Sequence, residues 1–315
     1  MAYTTAGDVK FRARRSCLSV PASSPKMLGK APGLPADEIF MDLEDSVAPA
    51  EKEGARKNVV AALKDNDYSG KTVVLRINGV YTHWCYRDII EITEQVGDRI
   101  DCIMIPKVQW ASDVTFVADL LRMIEETNGF QRRVGLEAQI ENAQGLTNID
   151  EIAAASDRLE TLIFGPGDMA AAMGMPHSTV GQIVREYPGD HWHWILMRIL
   201  VAARNQNLQA IDGPFAAIRD LDGFREIAMR SRQLGYDGKW ALNPDQIPIL
   251  NEIFTPSQKE YDHAEDILEA YQKATEEDRT GAVMFGEEMI DEASRKMAAV
   301  HAAQGRAAGL KRSKS

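Results

Sequence analysis

Eight short β-rich runs, each followed by a helical pattern, constrain the fold of this chain more than any other feature. They span 16–22 (SCLSVPA), 38–45 (EIFMDLED), 72–79 (TVVLRING), 102–107 (CIMIPK), 134–141 (VGLEAQIE), 161–168 (TLIFGPGD), 210–214 (AIDGP) and 238–243 (GKWALN). Strands alternating with helices imply parallel βαβ units. Eight such units in roughly 250 residues make a closed α/β fold, the (β/α)8 TIM barrel.

The intervening segments fit. Residues 51–64 place Ala55, Val59 and Leu63 on one helical face, and 112–127 carry Val114, Val117, Leu121 and Ile124 at helical spacing. Asp190 stands where it can cap a helix running through Arg204. An open doubly wound sheet would show a Gly-rich fingerprint after its first strand, and none is present. From about residue 256 the pattern is helical with no strand. Residues 1–254 therefore read as the barrel and 255–315 as a C-terminal helical extension. Its expected helices are 260–273 and 289–303, with a frayed end over 305–315.

Composition narrows the function. A net charge of −11 disfavours nucleic acid and anionic membranes as partners. No apolar run approaches the ~20 residues of a membrane helix. The basic start (Lys10, Arg12, Arg14, Arg15) is not followed by an apolar stretch, so cytoplasmic residence is expected. Cys17, Cys85 and Cys102 form no CxxC pair, which argues against a disulfide framework or zinc; Cys17 and Cys102 lie in apolar runs and read as packing.

Barrel enzymes keep their chemistry at the C-terminal ends of the strands. Here those ends carry Glu44 and Asp45, Arg76, Lys107, Glu141, Asp168, Asp212 and Asn243. Converging charges are costly unless paired or metal-bound. Glu141 and Asp168 end neighbouring strands and can hold a divalent cation, Mg2+ or Mn2+, through oxygen alone. The alternative is that one caps the next helix and the other pairs with Lys107 or Arg76. The glycines of 164–170 (FGPGDMA), Gly167 among them, would let backbone approach a ligand beside Asp168, unless they only make a turn. Arg76 offers a bidentate fork for a carboxylate, or pairs structurally with Glu44 or Glu137. His191 and His193, two apart, do not share a helix face and read as packing or surface residues. There is no GxSxG, P-loop or HExxH pattern.

Several segments together carry a family resemblance. They are 15–22 (RSCLSVPA), 42–47 (DLEDSV), 76–79 (RING), 105–107 (IPK), 139–142 (QIEN), 164–168 (FGPGD), 211–214 (IDGP), 238–240 (GKW) and 286–291 (GEEMID). In this order they resemble the malyl-CoA lyase branch of the CitE-like family, within the HpcH/HpaI aldolases. The resemblance implies a barrel with a C-terminal lid, assembled as a homotrimer or homohexamer in which one subunit's lid covers its neighbour's site. It implies Glu141 and Asp168 as Mg2+ ligands, and Arg76 on the oxo-acid carboxylate. It also implies Asp291 as the acid/base group supplied to a neighbour, and Arg15, Lys26 and Lys30 on the CoA phosphates, with Arg12 and Arg14 weaker candidates. The catalytic set expected is Arg76, Asp291 and Glu44, with Gly167 and Asp168 touching substrate.

The implied reaction is carbon–carbon cleavage of malyl-CoA or β-methylmalyl-CoA to glyoxylate and acetyl-CoA or propionyl-CoA. Citramalyl-CoA cleavage and malyl-CoA thioester hydrolysis are rivals on the same scaffold, and a non-catalytic assembly subunit is a more distant one. Two segments depart from the family pattern. Leu242-Asn243-Pro244-Asp245-Gln246 replaces an Ile-His-Pro-Ser-Gln run, and Glu287-Glu288 replaces a basic position before Asp291.

Overall fold

The computed structural model describes residues 12–176, 179–276 and 280–313. Lys10, in the basic start, lies outside them. Two compact units are present, residues 14–251 and the chain from Glu252 onward grouped with the described residues before Arg14.

The first unit is the expected barrel. Its strands are β1 (Ser16–Pro21), β2 (Glu38–Asp42), β3 (Thr72–Arg76), β4 (Cys102–Ile105), β5 (Gly135–Ile140), β6 (Leu159–Phe164), β7 (Gln209–Asp212) and β8 (Gly238–Ala241). They close in sequence order, every pair parallel, with β1 against β8. The helices are α1 (Pro25–Lys30), α2 (Lys52–Asp65), α3 (Cys85–Val96), α4 (Ala111–Asn128), α5 (Ala143–Thr147), α6 (Ile149–Ala153), α7 (Pro166–Ala172), α8 (His193–Asn205), α9 (Leu221–Leu234) and α10 (Ile247–Ile253). Parallel strands are buried on both faces, which is why they read as continuous apolar runs. Alternation still divides them: Cys17, Phe40, Val74, Cys102, Met104, Ile163, Ile211 and Trp240 form the packed interior. Cys17 and Cys102 are free thiols in this core, as expected of packing residues.

The strands end earlier than the apolar runs do. Leu43, Ile77 and Val108 lie past the strand ends, yet their N–H groups still bond the neighbouring strand, to Arg76 O (3.0 Å), Met104 O (3.2 Å) and Gln139 O (3.3 Å). Buried residues therefore continue beyond these three strands. At α8 the cap also differs. Trp192 stands at the N-cap, and Asp190, two residues before it, accepts through Oδ1 from Trp192 N at 2.9 Å.

A charged plug closes the N-terminal end. Arg14, fully buried, donates to Glu38 (3.1 Å), Glu137 (2.9 Å), Glu160 (2.8 Å) and Gln209 (2.6 Å). Gly238 makes this possible, because a Cβ there would stand 1.8 Å from the Arg14 carbonyl oxygen.

The second unit holds helix α11 (Gln258–Glu276), strands β9 (Ala282–Phe285) and β10 (Glu288–Asp291), and helix α12 (Glu292–Ala307). The strands correct the all-helical expectation. Phe285 pairs with Glu288 across a two-residue turn at Gly286, whose φ of 62° suits glycine. Val283, Phe285 and Ile290 face a core with Tyr261, Ile267 and Tyr271. Nor are residues 305–313 frayed, residues 314–315 lying outside the described ones: Arg312 pairs with Asp266 and, at 2.7 Å, with Glu269 of α11. Among the described residues no helix is long and apolar enough to cross a membrane.

Candidate active site at the C-terminal mouth of the barrel

Strand parity decides which charged residues meet in the mouth. Phe40 and Val74 point inward, so Asp42 and Arg76, two residues on, do too; the register aligns them as partners. Arg76 Nε donates to Asp42 Oδ1 at 2.8 Å and Nη2 to Oδ2 at 2.7 Å. The guanidinium rests over the rings of Trp240 and Phe40, 5.1 and 5.8 Å from their centroids. Its remaining nitrogen, Nη1, lies 3.2 Å from Glu44 Oε2 and 3.5 Å from Gln139 Oε1. Of the two expected structural partners, Glu44 is present and Glu137 is not, since Glu137 belongs to the plug. The main partner, Asp42, was not singled out from the sequence. Burial alone would raise the Asp42 carboxyl, but Arg76 and its hydrogen bonds hold it below the ordinary range.

Glu141, just past β5, is buried. Its Oε1 accepts from Lys107 N at 2.7 Å and its Oε2 from Gln139 Nε2 at 2.8 Å. Gly165 leaves room for it: a Cβ there would stand 2.4 Å from both Glu141 Cβ and Oε2. The glycine thus admits a carboxylate of the protein itself, a role distinct from the ligand approach expected of this segment. Asp168, in the first turn of α7 beside Gly167, keeps its side chain 44% exposed and lies 3.6 Å from Lys107 Nζ. Lys107 Nζ also binds Glu44 and, at 3.0 Å, Asp45. Burial, then the charges of Glu44 and Asp168, push the Glu141 carboxyl well above its ordinary range; burial likewise raises Glu44. Lys52, missed in the sequence, ties the β2 loop by donating to Leu43 O (2.8 Å) and Glu44 O (2.7 Å). Tyr81 lies close enough to feel the same acids. Its phenol is pushed up to about 12, first by burial.

The donor set fits a divalent cation. With every group ionised, five carboxylates (Asp42, Glu44, Asp45, Glu141, Asp168) face three cations (Arg76, Lys107, Lys52), a surplus of two negative charges. The buried Glu44 Oε2 accepts no hydrogen bond, and Glu141 keeps a lone pair on each oxygen. Among the described residues no three His, Cys, Asp or Glu side chains converge as a complete ligand cage. Two carboxylates with open positions for water and substrate oxygens suit Mg2+ or Mn2+.

Four expected positions are corrected. Arg15 precedes β1 and so belongs to the opposite end of the barrel, where it grips Asp37 at 2.7 Å through both Nε and Nη2. Arg14 is sealed in the plug. Neither reaches a ligand at the mouth. Asp212, outward because Ile211 points in, binds Lys239 Nζ at 2.7 Å and the Ser231 hydroxyl of α9; it is structural. Asn243 caps the turn at 244–246. Lys26 and Lys30 are exposed on α1, which follows β1 and so starts from the same end as the mouth. His191 Nδ1 accepts from Val184 N at 3.3 Å, while His193 is exposed at the start of α8. Asp291 closes β10 in the second unit and caps α12, accepting from Ser294 N at 3.0 Å.

A (β/α)8 barrel with this acidic, arginine-backed mouth defines an enzyme, and comparison with known proteins makes it a carbon–carbon lyase. The chain belongs to the HpcH/HpaI aldolase/citrate lyase family, whose model matches residues 15–244. It is 40% identical over 309 residues to the L-malyl-CoA/β-methylmalyl-CoA lyase of Rhodobacter capsulatus, covering 95% of this chain and 97% of that one. It is 34% identical to the malyl-CoA/β-methylmalyl-CoA/citramalyl-CoA lyase of Chloroflexus aurantiacus, covering 84% and 79%. Among solved structures it is similar to CitE of Mycobacterium tuberculosis in complex with magnesium, acetoacetate and coenzyme A. That match has a TM-score of 0.71 and 27% identity, covering 94% and 98% of the two chains.

Proposed function

We propose that this chain is a Mg2+-dependent lyase that reversibly cleaves malyl-CoA or β-methylmalyl-CoA to glyoxylate and acetyl-CoA or propionyl-CoA. The observation that carries the reading is the meeting of Glu141 and Asp168 at one mouth with Arg76 between them and the barrel core. The R. capsulatus relative supports the substrate class.

Glu141 and Asp168 would hold Mg2+ or Mn2+, which would supply Lewis-acid polarisation of the oxo-acid oxygens. The chain's own groups do the rest. Arg76 would meet the oxo-acid carboxylate with the N–H groups left on Nη1 and Nη2; with its Nε edge fixed on Asp42, it presents them in a set direction. Glu44 fixes Lys107 and orients Arg76. Gly167 and Asp168 would border the bound acid. Lys26 and Lys30 would attract CoA phosphates from α1. Asp291, presented by the C-terminal unit of a neighbouring subunit in a trimer or hexamer, would take the proton from the acyl-CoA α-carbon in the condensation direction. It would return that proton in cleavage. The protein would act in the cytoplasm.

The test is product analysis of purified protein with malyl-CoA, with Mg2+ and with chelator. Glyoxylate plus acetyl-CoA, lost on chelation, supports the reading; malate plus free CoA would make the chain a thioesterase. Citramalyl-CoA is the second substrate to try, because the C. aurantiacus relative includes it in its name. Mixed Asp291→Ala and Arg76→Ala proteins, each inactive, should regain activity through hybrid sites. No recovery despite subunit exchange would remove the shared-site part.

A further inference from the structure

We infer that Lys107 is a positioning residue that sets how tightly the mouth takes a cation, while drawing in the anionic substrate. This rests on the assignment of Glu141 and Asp168 as the cation's ligands.

Lys107 follows β4 with a φ of 53°, the left-handed region; among the described residues only Asn207 shares this without being glycine. Asparagine tolerates that region well, whereas lysine enters it only when its surroundings require it. Two contacts show what is gained. The main chain turns its N–H onto Glu141 Oε1 at 2.7 Å. The side chain carries its ammonium into the acids on the other side, against Glu44, 3.0 Å from Asp45 and 3.6 Å from Asp168 Oδ2. One residue therefore holds one ligand through its backbone and reaches the other through its charge.

The two contacts act oppositely on a cation. The N–H fixes Glu141 and favours binding. The ammonium is a positive charge among the very acids an incoming ion would use, so the ion is repelled by it and must compete with it for Asp168. An anion entering the mouth has the reverse experience. The ammonium adds to Arg76 in attracting it, and only 23% of the lysine side chain is open to water that would screen the effect. The residue thus trades cation affinity for substrate affinity. A lysine that merely supported the loop would lower both when replaced.

Three variants of the full-length protein separate these roles. Lys107→Asn and Lys107→Gly keep the N–H and tolerate the left-handed backbone but lack the charge. Lys107→Arg keeps the charge. Mn2+ binding to the metal-free protein is read by electron paramagnetic resonance titration, and the KM for glyoxylate is measured in condensation with acetyl-CoA at saturating Mn2+. We expect Mn2+ to bind at least threefold tighter in Lys107→Asn and Lys107→Gly and within twofold of wild type in Lys107→Arg. The glyoxylate KM should rise at least tenfold in the two neutral variants. Unchanged or weaker Mn2+ binding in the neutral variants overturns the inference. Wild-type protein that binds no Mn2+ at all overturns the ligand assignment beneath it.

Discussion

Arg76 gives the Nε–Nη2 edge of its guanidinium to Asp42, at 2.7 and 2.8 Å, and so keeps only the N–H groups of Nη1 and the second N–H of Nη2 for a substrate. The sequence suggested a wholly free guanidinium; the structure shows one of its two edges already closed on a neighbouring strand. Both groups are buried, so each depends on the other. Removing one partner of such a pair typically costs ~3–5 kcal/mol. Asp42→Asn should therefore lower stability by about 3 kcal/mol. With Arg76 no longer aimed, kcat/KM should also fall by about a hundredfold, the scale of losing one aligned donor. Arg76→Lys should lose about as much activity, because the single nitrogen of an ammonium cannot span both Asp42 oxygens as a planar fork and hold its remaining donors towards a substrate. Urea unfolding and steady-state kinetics check both; wild-type kcat/KM in either variant would show that the pair is structural alone.

Glu141 and Asp168 differ in environment, and the difference predicts different losses. Glu141 is buried and held from two sides, whereas Asp168 is half open to water. Glu141→Gln keeps the shape but removes the charge nearest the core, and Asp168→Asn does the same at the rim. Each should weaken Mg2+ binding at least tenfold, with Glu141→Gln the more severe, since charge acts more strongly where water is excluded. Isothermal titration with Mg2+ measures both. Equal affinity in wild type and Glu141→Gln would remove the cation from this mouth.

Gly165 tests whether space, as well as charge, sets the ligand. A methyl group at this position would stand 2.4 Å from Glu141 Cβ, a contact that no rotation of the glutamate side chain relieves. Gly165→Ala must shift one of the two backbones. Overpacking of this kind costs about 1–3 kcal/mol. We expect Mg2+ affinity to drop at least tenfold while the secondary structure, read by circular dichroism, stays unchanged. Wild-type Mg2+ affinity in Gly165→Ala would mean that the glutamate is not held by this contact.

Much of this architecture was legible because parallel barrel strands are buried on both faces and advertise themselves as apolar runs. All eight were visible, but their ends were not. Leu43, Ile77 and Val108 are as buried as strand residues and even keep a ladder bond. The acids Glu44, Glu141 and Asp168 could be picked out as charges ending apolar runs. Asp42 could not, for it lies inside its run and its importance arises from the β2–β3 register. Asp212 was misplaced for the converse reason. It ends a strand like the others, but counting two from an inward residue would have turned it away from the mouth. The β9–β10 hairpin left a readable mark in Gly286 between two short runs, obscured by the charged helices around it. The left-handed backbone of Lys107 had no mark at all, since nothing in Ile-Pro-Lys demands it.

The plug at the other end of the barrel gives a prediction about pH. Burial, and then the charge of Glu137, hold the Glu38 carboxyl well above its ordinary range despite Arg14. A carboxyl raised in this way is protonated in both folded and unfolded chains below the usual glutamate value of about 4.3. Above it the unfolded chain releases the proton first, so the folded state, still holding its own, loses relative stability as pH climbs towards the raised value. Glu38→Gln removes that proton exchange and keeps the shape, while Glu137, Glu160 and Gln209 still bind Arg14. The difference in melting temperature, variant minus wild type, should therefore increase as pH rises from 5 to 8. Thermal unfolding followed by circular dichroism across that range measures it. A constant difference would show that Glu38 is ionised throughout, and that Arg14 alone is enough to keep both carboxylates charged in the core.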